Sequence, residues 1–275
     1  MASLTFNRYG KTRIRLTQVL RHDDRHEVIE LSVKILFEGD FDESYTTADN
    51  SNVLATDTMK NTVYVMARQH PITSIEEFAR KLARHFLDHV VYLKRVHITV
   101  DQKPWARIGT HRSAFVLAGQ ERRMTTVTLT RTGEQIISGV HGLEILKTAN
   151  SAFSGFLKDD LTTLTETRDR LFGTALDANW IYRAGDIDFN TAYEQLRSVL
   201  LDTFASHISE SVQHTLYDMG TAALRSREDL KEIHLVMPNK HRLLVDLAAF
   251  GLDNANQIFI PTDEPSGYIE ARVRG

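Results

Sequence analysis

Cysteine is absent from the 275 residues. That excludes disulfide staples, thiolate nucleophiles and cysteine-ligated zinc. No apolar run reaches the length of a bilayer span, and MASLTFNRYGKTRIRL lacks the apolar core of a secretory leader. No Gly-rich dinucleotide fingerprint and no HExxH helix occurs. HDDRH and HPI have no ligand spacing and read as turns, although 12 histidines leave open a metal site built from distant residues. The closing ARVRG differs from a peroxisomal Ser-Lys-Leu signal, so the expected location is cytoplasmic. A net charge of −3 gives no broad basic surface, which argues against a nucleic-acid partner.

What is there is an ordinary globular composition, 42% hydrophobic and 25% charged. TRIRLTQVL alternates, with Thr12, Ile14 and Leu16 on one side and Arg13 and Arg15 on the other. VIELSVKILF alternates through Ile29, Leu31, Val33, Ile35 and Phe37, and the HDDRH turn between the two predicts a hairpin. TDTMKNTVYVMARQH then changes to helical period. TSIEEFARKLARHFLDH follows, with an apolar stripe Ile75, Phe78, Leu82, Phe86 and an expected capping box Thr73–Glu76. VVYLKRVHITV, SAFVLA and MTTVTLTR are strand-like.

The second half repeats this order. GLEILKTA and ANWIYR predict strands, FNTAYEQLRSVLLDTFASH and SVQHTLYDMGTAAL predict helices, and IHLVM, RLLVDL, IFIPTD and YIEARV predict strands again. The expectation is an α+β chain of two tandem ββααββ units, residues 1–138 and 139–275, with helices on one face of a continuous antiparallel sheet. Uncovered sheet edges and the second face call for an oligomer.

PNKHRLLVDL carries Leu243, Val245 and Leu247 on one strand face, and the same parity continues back to His241 and Asn239. A core-facing row that turns polar at its end predicts a pocket lined by an imidazole and an amide.

Several segments together resemble the urate oxidase (uricase) family of the tunnelling fold. They are YGKTRIRL, VLATDTMKNTVYVMA, NSAFSGFLKDDLTTLTETRDR, SVQHTLYDM and MPNKH, in family order and spread over nearly the whole chain. ATDTMKNTVY and PNKH are the specific signals, and KPWARIGTHRSAF is a looser match. The resemblance implies a homotetramer whose sheets close into a hollow barrel, with active sites shared between subunits. It implies cofactor-independent oxidation of urate by dioxygen to 5-hydroxyisourate with release of hydrogen peroxide, and no metal.

The resemblance also assigns residues. Arg170 would grip two acceptors of the purine anion with its guanidinium fork. Gln213 would face the opposite purine edge, and Phe153 would stack on the ring. Taken alone, these three read as a surface salt bridge, a solvated helix residue and a core residue. Val212 would bind through its backbone N–H near a helix start. Thr56 and Asp57, which alone read as N-capping residues preceding a helix, would reach into a neighbouring subunit's site, Asp57 through its main chain. Lys11, Thr56 and His241 would relay protons, the lysine amine draining the weakly basic hydroxyl. Asn239, with Thr56, would hold dioxygen or a replacing water above the urate plane. Two rivals remain: a metal-dependent pterin- or purine-processing hydrolase of the same fold, and a non-catalytic purine-binding protein.

Overall fold

The computed structural model describes residues 2–275. They form two compact units, one of residues up to Gly139 with Asp188–Asn190, the other Val140–Ile187 with Thr191–Gly275.

The first unit begins with β1 (Tyr9–Arg21) and β2 (His26–Gly39), followed by a short α1 (Asp42–Thr46), α2 (Thr56–Gln69) and α3 (Ile75–His89). β3 (Leu93–Gln102), a small hairpin of β4 (Trp105–Arg107) and β5 (Phe115–Leu117), and β6 (Arg122–Thr130) complete it. β1, β2, β3 and β6 pair antiparallel in that order. The alternation read from the sequence holds along β2, where Leu31, Val33, Ile35 and Phe37 are buried. α2 lies over β1, and α3 lies over β3 and β6. The α3 stripe Ile75, Phe78, Leu82 and Phe86 is wholly buried.

Two local expectations are corrected here. Thr12 does not share the buried side of β1 with Ile14: it is exposed, because the register shifts between Lys11 and Ile14 and Arg13 takes a left-handed φ of 57°. Such a backbone is costly for a residue with a Cβ and resets the alternation at the start of the strand. Beside it, a Cβ on Gly10 would stand 1.9 Å from the Ile35 carbonyl oxygen, so only glycine permits this approach of β1 to β2.

The helix α3 is capped by Ser74, not by a Thr73–Glu76 box. The Ser74 side chain accepts from the Glu77 N–H at 3.1 Å. Glu76 cannot reach back to cap because it is fully buried, with its oxygens held by Arg123 Nη2 and Ser138 Oγ at 2.8 Å each.

The second unit is entered along β7 (Glu134–Lys147) and contains β8 (Phe172–Tyr182), α4 (Phe189–Ser206), α5 (Val212–Ser226), β9 (Leu230–Val236), β10 (Asn239–Leu244), a 3-10 turn (Ala248–Phe250), β11 (Phe259–Gly267) and β12 (Glu270–Arg274). β8 is its hub. Residues Asp177 to Tyr182 pair β9, while Gly173 and Thr174 pair β10; β9 continues to β12 and β10 to β11. α5 covers β9 and β12. The core includes Phe172, Leu176, Trp180, Leu196, Leu216, Met219 and Ile233, and the Trp180 indole N–H donates to the Tyr182 hydroxyl at 2.7 Å.

The apolar row of PNKHRLLVDL is not core-facing in the chain. Leu243 is 54% exposed, and β10 ends at Leu244. The helix α5 covers β9 and β12 instead, so Leu243, Leu244 and Ile260 of the β10–β11 hairpin present an apolar surface. No helix among the described residues is long and apolar enough to cross a membrane.

Candidate active site

The residues singled out by sequence fall into two groups, one per unit. In the first unit, Lys11 lies on β1 opposite Ile35, at the strand irregularity. Thr56 and Asp57 do not precede α2; they are its first two residues, after Ala55. Ala55 has no side chain to cap with, so the opening N–H groups of α2 keep their outward-facing donors. The Asp57 carboxylate pairs with Lys60 and accepts from Asn61 at 3.1 Å. The bond to Lys60 holds its pKa below the usual value, and the charge of Lys11 adds to the effect. Lys11 and the start of α2 lie on neighbouring elements, α2 packing over β1. The Asp57 carboxylate is engaged within its own helix.

In the second unit a loop between β7 and β8 is tied down by its backbone. The Ala152 N–H donates to the Ser209 carbonyl at 2.6 Å, and the Ser209 N–H to Asn150 at 3.0 Å. Phe153 and Thr167 exchange backbone bonds of 2.8 and 3.0 Å, and the Arg170 N–H donates to the Ser151 carbonyl at 2.8 Å. These bonds bring Phe153 and Arg170 side by side although 17 positions separate them. They also fasten both to Ser209, two residues before the cap of α5. Thr215 Oγ1 donates to Ser209 Oγ at 2.8 Å, and Ser209 Oγ donates to the Ser211 carbonyl at 3.2 Å, which locks the loop to the first turn of that helix.

The Arg170 guanidinium carbon stands 5.4 Å from the Phe153 ring centroid. Arg170 forms no ion pair among the described residues, and its Nε is buried with no hydrogen-bond partner. Desolvation lowers its pKa, yet a guanidinium stays charged at any ordinary pH. A half-buried cation without a counter-charge is costly, and an anion is what relieves it. Among the described residues, the surface salt bridge that Arg170 suggests in isolation is absent.

Val212 is the first residue of α5, with a buried side chain, and Gln213 is exposed beside it. Ser211 caps the helix by accepting from the His214 N–H at 3.1 Å. The amides of Val212 and Gln213 precede that bond and have no intrahelical acceptor, at the end of the helix where the macrodipole favours an anion.

Asn239 opens β10 between Thr174 of β8 and Gly267 of β11 and is 9% exposed. Thr174 lies four positions after Arg170, so β8 joins the two sites of interest. His241 faces Thr262 across the hairpin. Between the Asn239 and His241 pairs, β10 advances two residues while β11 advances five, so the ladder is interrupted between these two residues.

The second unit thus sets a planar cation beside an aromatic ring on a loop tied to the start of α5, with the nearly buried Asn239 amide paired to β8, the strand that follows that loop. The uricase family model matches residues 7–128 and 136–270.

This chain belongs to the uricase family.

A uricase of Arthrobacter globiformis is 40% identical over 98% of this chain and 88% of its own length. A uricase of Dictyostelium discoideum is 36% identical over 100% of this chain and 98% of its own. The crystal structure of uricase from Arthrobacter globiformis matches with a TM-score of 0.97 at 38% identity, covering 100% of this chain and 96% of that one. A hyperthermostable mutant of Bacillus sp. TB-90 urate oxidase, 24% identical with a TM-score of 0.86, shares the fold.

Three features of this uricase-family chain were not singled out from the sequence. Phe156 stacks on Phe153 with centroids 5.0 Å apart and an interplanar angle of 12°; the repeated aromatic in FSGF was its only signal. The Ser209–Thr215 bond depends on a fold-level contact that no spacing announces. His207, His214 and Asp218 converge where α4 passes into α5, and only the His214–Asp218 spacing of four was visible beforehand.

Proposed function

We propose that this chain oxidises urate with dioxygen to 5-hydroxyisourate, releasing hydrogen peroxide. The observation that carries the reading is Arg170: a charged, half-buried guanidinium without an acidic partner, set against an aromatic face. Urate is a flat anion with adjacent acceptors, which a guanidinium fork and a ring can hold together. A charge-assisted bond of this kind contributes about 1.5–3 kcal/mol. Gln213 and the Val212 amide would take the remaining purine edge. Asn239 would hold dioxygen, or the water that follows it, over the ring.

Urate itself supplies the electrons. Lys11, Thr56 and His241 would remove a further proton and make the ring electron-rich. Two electrons pass to dioxygen, the two fragments join as a ring hydroperoxide, and hydrogen peroxide leaves. Water then adds to give 5-hydroxyisourate, so that urate, dioxygen and water balance 5-hydroxyisourate and hydrogen peroxide. Proton transfer of this kind contributes about 10²–10⁴ in rate.

The working form in this proposal is a homotetramer with a closed barrel of sheets, in which Lys11, Thr56 and Asp57 of one copy complete the site carrying Arg170 of another. The exposed apolar side chains Leu243, Leu244 and Ile260 support burial against a second copy. The purified protein should consume urate, followed by loss of its ultraviolet absorbance, with stoichiometric peroxide and no loss of rate in a chelator. Urate binding without peroxide would favour a non-catalytic binder, and loss of activity in chelator would favour the metal-dependent hydrolase.

A further inference from the structure

Outside the residues assigned to urate, His207, His214 and Asp218 present one ring nitrogen or carboxylate oxygen each, all within 4.8 Å of one another. We propose that these three side chains form a transition-metal site of the zinc class, which fastens the α4–α5 connection.

The donor positions match the chemistry. His207 Nδ1 is 3.0 Å and His214 Nε2 is 3.7 Å from Asp218 Oδ2. Ligands about 2.0–2.2 Å from a tetrahedral zinc stand about 3.3–3.5 Å apart; the two histidine–carboxylate separations lie within a few tenths of an ångström of that, and the two imidazole nitrogens stand within 4.8 Å of each other. His214 and Asp218 are four apart on α5 and share a face, while His207 arrives from the end of α4. The two imidazole rings meet edge to face, at 69° with centroids 4.6 Å apart, and do not stack in parallel.

The scaffold is fixed before any ion arrives. The His207 N–H donates to the Thr203 carbonyl at 3.0 Å, and the Lys147 ammonium is anchored on the Phe204, Ala205 and His207 carbonyls. His207 is mostly buried, so its ring is held in place by the surrounding side chains and not by solvent. The Lys147 charge opposes a cation here and that of Glu210 favours it. Two imidazoles and one carboxylate select zinc, nickel or copper(II) over calcium or magnesium. Three protein ligands leave a fourth position for water or an anion. Because His214 adjoins Gln213, the ion would hold the first turn of α5 against the end of α4.

The test uses full-length protein stripped with chelator and then titrated with Zn²⁺ in a calorimeter, with Co²⁺ as a spectroscopic substitute. The proposal expects one zinc per chain at micromolar or tighter affinity, a rise in melting temperature on binding, and visible cobalt bands of low-symmetry coordination. His214→Ala and Asp218→Asn change partly exposed side chains, and each is expected to weaken zinc by at least about tenfold and to abolish the cobalt bands. Circular dichroism of the metal-free variants checks that both remain folded. No saturable zinc binding, or binding undiminished in both variants, would overturn the assignment.

Discussion

The Arg170 guanidinium lies 5.4 Å from the centre of the Phe153 ring, with no carboxylate beside it among the described residues. Cation, ring and backbone are fixed in this relation by the Arg170–Ser151 and Phe153–Thr167 bonds, so the pair is organised before substrate arrives. Arg170→Lys keeps the charge but loses the planar fork. It is expected to weaken anaerobic urate binding by about tenfold or more, with a smaller fall in kcat. Unchanged affinity would remove Arg170 from the pocket.

Thr56 begins α2 in the first unit, near Lys11. In the proposed proton relay it would act on chemistry more than on binding. Thr56→Ala is expected to lower kcat by about 10²–10⁴ while urate affinity changes far less. Equal losses in both would refute the relay.

A structural prediction concerns Glu76. Burial pushes its carboxyl pKa up even against the pull of Arg123 and Ser138, so desolvation outweighs the ion pair. Removing Glu76 takes from Arg123 a fully buried carboxylate held at 2.8 Å. Glu76→Ala is expected to lower unfolding free energy by about 3–5 kcal/mol, read from urea denaturation, with Glu76→Gln less severe because the amide still bonds.

On β9, Glu232 binds Arg274 of β12 through contacts of 2.6 and 3.1 Å, with Arg272 at 3.7 Å. The bond to Arg274 is the main cause that holds its pKa below the usual 4.5. A carboxylate with a lowered folded-state pKa stabilises fully above the unfolded value and loses that contribution as pH falls through the folded one. The stability gap between wild type and Glu232→Gln is therefore expected to be full at neutral pH and to shrink below about pH 4.5. A gap independent of pH would contradict the assignment.

Where local pattern alone decides structure, the sequence is readable. The period-two row of β2 and the Ile75–Phe86 stripe of α3 bury the side chains their spacing indicates. The misreadings have tertiary causes. The cap of α3 moves to Ser74 because Glu76 is drawn inward by Arg123, a residue 47 positions away. Thr12 turns outward because Arg13 adopts a left-handed backbone. Leu243 has a strand's alternation but is 54% exposed, because α5 packs over β9 and β12. At the site, PNKH and the residues near Arg170 were visible through family resemblance, whereas the His207–His214–Asp218 convergence exists only once α4 and α5 meet.

The central claim is that Thr56 of one copy and Arg170 of another serve the same urate. Complementation tests it most directly: Thr56→Ala and Arg170→Ala chains, each inactive alone, are mixed by co-expression and assayed for urate loss and peroxide. Sites shared between copies predict recovery to about a quarter of wild-type activity, the fraction of random pairings with both residues intact. Mixed oligomers as inactive as their parents would contradict the account.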